Sequence, residues 1–133
     1  MALREMESIS NFCGRASAVL FIVANAYYPA RIIARNLTIW TSETALFFRR
    51  YRKAHITLNL IAFLALIVHA HWAEERNFVL TASFIVSVIL TAEGVLMHYR
   101  MVPGMHKHLC LLHAQQALFV LWVVLIVWGH SLV

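Results

Sequence analysis

The stretch HITLNLIAFLALIVHAH, residues 55–71, decides the fold. Between His55 and His69 only Thr57 and Asn59 are polar, and with Ala54 and Trp72 the segment reaches the length at which a helix crosses hydrocarbon. Such a run would be unremarkable without its histidines. Imidazole is costly to strand among lipid tails, so histidines of a spanning helix are expected to face a protein interior, a watery cavity or a bound group.

The rest of the chain agrees with a membrane setting. Of 133 residues, 62% are hydrophobic and only 13% charged, with a mean hydropathy of +0.73, which is too apolar for a water-soluble domain of this size. Neither a linker, a low-complexity tract nor an internal repeat is evident, so residues 1–133 read as one transmembrane domain. The net charge of +5 is clustered beside apolar runs, a placement suited to anionic lipid, and no nucleic-acid motif is present. Cys13 and Cys110 fall at different predicted helix ends and are not expected to pair.

Three spans are expected at 54–72, 78–97 and 109–133, joined by the short turns 74–77 and 98–108, the latter containing Pro103-Gly104. Successive helices should then be antiparallel, and the first and third parallel. Residues 12–33 form a further span if arginines and tyrosines snorkel at its ends; otherwise the segment is interfacial. Between it and His55, the residues Ile33, Leu37, Trp40, Thr44, Phe47 and Tyr51 recur at helical spacing. This predicts an amphipathic helix over 34–53, lying on the membrane surface or docked on a partner subunit. The fold class is therefore an all-α integral membrane bundle of four spans, or three, plus a surface helix.

Arg31, Arg35, Arg49, Arg50, Arg52 and Lys53 precede the second span, and Arg100 and Lys107 lie in the later turn. With four spans these eight cations share one membrane face, which the positive-inside rule makes the cytoplasm or mitochondrial matrix, with both termini opposite. A bacterial or mitochondrial inner membrane is the expected location.

On an ideal helix His55 and His69 are about 21 Å apart along the axis and only about 40° apart around it, whereas His71 is about 160° from His55. On the last span His113 and His130 are about 26 Å and about 100° apart. Because these two helices should run parallel, His113 can meet His55 at one membrane level and His130 can meet His69 at the other. Imidazoles facing each other across an apolar bundle are what an iron porphyrin requires, with Leu, Ile, Phe and Val at its edges and basic residues at its propionates. The chain has no C-x-x-C-H, so such a haem would be held noncovalently.

At these residues the sequence resembles the transmembrane domains of bis-histidine b-type cytochromes, especially ferric-reductase-like and small dihaem cytochrome b subunits. The resemblance covers roughly residues 50–133. It is carried by Arg52-Lys53-Ala54-His55, the His55 to His69 spacing, Thr91-Ala92-Glu93-Gly94, Leu112-His113 and Gly129-His130. It implies one or two b haems bound in a three-helix core over 54–133, with His55, His69, His113 and His130 as axial iron ligands. It also implies transmembrane electron transfer, often with a quinone. The family usually repeats the shorter histidine spacing in its second ligand helix, where this chain has Ile126 and Val127.

Glu93 is the carboxylate of a span, near its basic end, and is a candidate for proton or quinone chemistry or for snorkelling, with His98 or Arg100 as possible helpers. Gln116, like Gln115, can bind a quinone carbonyl or tie helices together. His98, His106 and His108 suit interfacial roles, and His71 beside Trp72 an interfacial belt. The expectation is an electron-transfer subunit of a membrane redox complex rather than a stand-alone enzyme, with lipids, other subunits and a quinone as partners. Two alternatives stand beside it: a cofactor-free accessory subunit, and a metal-binding membrane protein built on Met105-His106-Lys107-His108-Leu109-Cys110.

Overall fold

A computed structural model describes residues 2–37, 39–74, 76–102, 104–113 and 116–133. It is helical throughout, with α1 at Ala2–Asn25, α2 at Tyr27–Asn36, α3 at Ser42–Trp72, α4 at Phe78–Tyr99, α5 at His106–His113 and α6 at Gln116–Ser131. Among the described residues there is no strand. Three helical stretches, Arg4–Asn36, Ser42–Trp72 and Phe78–Tyr99, are long and apolar enough to cross a membrane, and α5 with α6 makes a fourth if that bent pair is one span. The chain forms two compact units, residues 1–73 and 74–133.

In the first unit α1 packs antiparallel on α3. The face α1 buries is read from Ser10, Ser17, Phe21 and Ala24, with Gly14 on the same stripe, at the three- and four-residue steps of a helix. Small residues there let two backbones approach closely, which is how helices associate without a hydrophobic driving force between them. Facing α1 on α3 are Tyr51, His55 and His69, with buried Ala62 on the same stripe. The outward side chains are apolar: Ile22 is 69% exposed and Leu64 64%, a surface that lipid solvates and water does not.

Asn25 ends α1 where Pro29 withholds the N–H that would meet its carbonyl, so the helix breaks at Ala26 and resumes as α2. A capping box at Thr41 and Thr44 starts α3, with each residue's side-chain oxygen accepting the other's backbone N–H. Nothing between Ser42 and Ala54 breaks a helix. The segment 34–53 is therefore not a separate surface helix: α2 ends at Asn36, and residues 42–53 are the first three turns of α3, continuous with the expected span.

In the second unit α4 packs on α5 and α6. Asn77 caps α4, its Oδ1 accepting from Leu80 N at 2.8 Å, while its Nδ2 donates to the Gly129 carbonyl at 2.9 Å. Ten residues on, buried Ser87 accepts from Trp122 Nε1 at 2.6 Å. Gly129 lies against Leu80, and Gly94 against the His113 ring. Leu80 with Gly129 and Ser87 with Trp122 mark equal seven-residue steps on antiparallel helices. Opposite Gly94 that register would bring residue 115, but His113 stands there. The expected single span over 109–133 is thus two helices inclined by 45°, with a shift of two positions between them. The ideal-helix angle between His113 and His130 does not apply.

Candidate functional site

The two histidines of α3 meet α1 at equivalent points. His55 Nδ1 donates to the Ala24 carbonyl at 2.9 Å and His69 Nδ1 to the Ser10 carbonyl at 3.0 Å. His55 and His69 are as far apart along α3 as Ser10 and Ala24 along α1, so two antiparallel helices of equal rise bring each ring to a carbonyl on one face. The same-face expectation for this pair holds, and α1 is what both rings meet.

A carbonyl oxygen only accepts, so a neutral ring that makes this bond carries its proton on Nδ1 and its lone pair on Nε2; Asn59 Nδ2 also lies 3.1 Å from His55 Nδ1 and 3.5 Å from its Nε2, and Ser10 Oγ 3.2 Å from His69 Nδ1. Ser10 completes the support of His69 by donating its hydroxyl to the His69 carbonyl at 3.2 Å. Gly14 provides room: a Cβ there would lie 2.8 Å from His69 Nδ1. At the other end Asn59 donates Nδ2 to the His55 carbonyl at 2.8 Å and accepts from Asn25 Nδ2 at 3.2 Å. Tyr27 stands beside the His55 ring, with centroids 6.1 Å apart, and the Tyr51 hydroxyl donates to the Val23 carbonyl.

In the second unit His130 is exposed on α6 and its Nδ1 donates to the Ile126 carbonyl at 2.9 Å, again leaving Nε2 as the basic nitrogen. His113 is half-buried, with its Cε1 3.1 Å from where a Cβ on Gly94 would be. One carboxylate oxygen of Glu93, Oε2, is enclosed with no hydrogen-bond partner among the described residues; His98 and Arg100, its expected helpers, are exposed. Gln116 opens α6, but its side chain, like all of Gln115, lies outside the described residues.

The remaining histidines lie at helix ends. His71 is exposed beside Trp72, and His98 packs edge-on against Tyr99 with centroids 4.8 Å apart. His106 and His108 stand on α5 rather than in a loop, and Cys110 Sγ is 3.6 Å from His106 Nε2. Among the described residues no three His, Cys, Asp or Glu side chains are grouped to hold a metal ion. A haem asks for less: two axial imidazoles presenting Nε2, each fixed by a bond from its other nitrogen. By donor chemistry and tautomer, His55, His69 and His130 fit.

Sequence reasoning missed Ser10, Gly14, Asn25 and Asn59. Their signal was present in the spacing of small residues from Ser10 to Ala24 and in a polar Asn59 one turn after His55. The chain was compared with protein-family models, with curated proteins and with solved structures, and no match was found in any of the three.

Proposed function

We propose that this chain is a membrane-embedded b-type cytochrome subunit, drawing its iron ligands from His55, His69, His113 and His130. Its task is to pass electrons between a partner redox protein and a quinone in a bacterial or mitochondrial inner membrane. One observation supports the reading: three of these four imidazoles meet a backbone carbonyl through Nδ1, which in the neutral ring puts the lone pair a metal would take on Nε2. Bound haem supplies one-electron redox chemistry that no side chain here provides. The chain's own part is to hold the rings in one tautomer and to keep water away with its apolar side chains. Glu93 and Gln116 are the residues assigned to a quinone in this reading.

Protein purified in mild detergent should show a Soret band and a sharp α band on reduction, both weakened in His69→Ala and again in His130→Ala. A second reading also has an observation behind it, because the same bonds from His55 and His69 tie α1 to α3. In a cofactor-free accessory subunit those ties would be the whole role of the rings. Intact, folded protein that is colourless after expression with ample haem would establish that reading over the first.

A further inference from the structure

The corner where α2 leads into α3 gathers positive charge on an aromatic platform. Trp40 stacks on buried Phe48 with centroids 5.5 Å apart and ring planes 13° from parallel, and Phe48 in turn meets Tyr27 edge-on at 5.9 Å. Two guanidinium groups lie over the same indole, that of Arg35 at 4.9 Å from the ring centroid and that of Arg31 at 5.8 Å. Arg31 also reaches the Tyr27 hydroxyl, with Nη1 donating at 3.4 Å.

Like charges one helical turn apart repel, and holding both over one ring keeps them together at a cost. No carboxylate pairs with either among the described residues, and Glu43 is the one acidic residue between Tyr27 and Lys53. Arg49, Arg50, Arg52 and Lys53 on the first turns of α3 add exposed positive charge nearby in the chain. Planar guanidinium forks match phosphate oxygens in pairs, and tryptophan and tyrosine favour the depth at which lipid headgroups lie. α2 follows directly on the apolar part of the Arg4–Asn36 stretch, which brings this corner to headgroup level.

The geometry points to a binding site for one anionic phospholipid, its phosphate held between Arg31 and Arg35 and its glycerol region resting on Trp40. Phosphatidylcholine, whose choline cancels the phosphate charge, is the wrong ligand here. The site does not depend on haem binding.

Native mass spectrometry of the full chain from detergent, with phosphatidylglycerol or phosphatidylcholine of identical acyl chains added, tests it. One phosphatidylglycerol should remain bound under activation that strips phosphatidylcholine. The double variant Arg31→Gln/Arg35→Gln should lower its retention about tenfold, while Arg49→Gln/Arg50→Gln, which removes equal charge, should change it less than about twofold. The Lys/Lys variant, Arg31→Lys/Arg35→Lys, keeps the charge and loses the fork, and should fall about threefold. Circular dichroism verifies that the variants fold, and if the Gln/Gln variant does not, the Lys/Lys variant decides alone. Equal losses in the two Gln double variants, equal retention of both lipids, displacement of phosphatidylglycerol by millimolar inorganic phosphate, or unchanged retention in the Lys/Lys variant would each overturn the site.

Discussion

The two units close their helix pairs with different chemistry. In the first, α1 and α3 meet through imidazoles: two rings from one helix bind carbonyls of the other, with Gly14 making space for one of them. In the second, α4 meets its partners through an indole on a serine, an asparagine on a carbonyl, and glycines under Leu80 and His113. The first arrangement fixes the orientation of two titratable rings on an unbroken 31-residue helix. The second holds backbones close and leaves His130 exposed on a helix that starts only at Gln116. Histidines that look equivalent in a sequence therefore have unequal surroundings: those of α3 are held by a second helix, and that of α6 by its own.

The glycines grade this difference. A Cβ on Gly129 would lie 2.6 Å from Leu80 Cδ2 and 3.2 Å from the Leu80 backbone nitrogen, and the backbone cannot turn aside. Gly129→Ala should destabilise by about 1–3 kcal/mol even after alanine's helix propensity, worth about 1 kcal/mol, is credited. On Gly14 the obstacle is the His69 ring, at 2.8 to 3.1 Å, which can swing away by giving up its bond to Ser10. Gly14→Ala should cost less, about 1 kcal/mol, the worth of that bond and its repacking. Gly94→Ala meets one ring atom at 3.1 Å and should be near neutral. Unfolding in mixed detergent micelles measures all three, and the comparison fails if Gly14→Ala is the most damaging.

How much of this could be read beforehand follows from what a periodic pattern contains. It specifies which residues share a face, so the alignment of His55 with His69 was legible, as were the long apolar helices. What that face meets was not, because the partner stripe from Ser10 to Ala24 is made of small residues that carry little hydropathy signal. The boundary between α5 and α6 has neither Pro nor Gly near it, so a single span over 109–133 was the reasonable reading. The start of α3 at Ser42 was hidden because polarity changes near residue 53 while the backbone continues; Thr41 and Thr44 were the cue. Of the candidate site, the identity of the imidazoles was legible, but their hydrogen-bonded nitrogen was not.

Helix starts sharpen the contrast further. Asn77 caps α4 and also bonds α6, whereas Thr41 caps α3 and, among the described residues, bonds nothing beyond its own turn and residue 44. Loss of a cap costs about 1 kcal/mol, and an interhelical bond in a membrane protein adds about 0.6 kcal/mol. Asn77→Ala should therefore destabilise more than Thr41→Ala, by roughly the worth of that second bond. Equal losses would mean that the bond to Gly129 contributes nothing to closing the second unit.

A further small effect concerns the nitrogen on which the functional reading rests. The Ser10 hydroxyl bonds the His69 carbonyl at 3.2 Å and lies 3.2 Å from Nδ1, while the same nitrogen is held at 3.0 Å by the Ser10 carbonyl, which no side-chain substitution removes. Ser10→Ala should then cost only about 0.6 kcal/mol, the mean for such bonds. Ser87→Ala should cost more, since it removes the buried hydroxyl that accepts from the Trp122 N–H, a loss of about 1–3 kcal/mol. Nitrogen NMR of ring-labelled histidine, recorded on the haem-free protein, should find the His69 proton on Nδ1 in both wild type and Ser10→Ala. If the proton moves to Nε2 when the hydroxyl is lost, the serine side chain and not the helix backbone sets the tautomer. His69 would then lose the feature that makes it a ready metal ligand, because its lone pair would point back at α1.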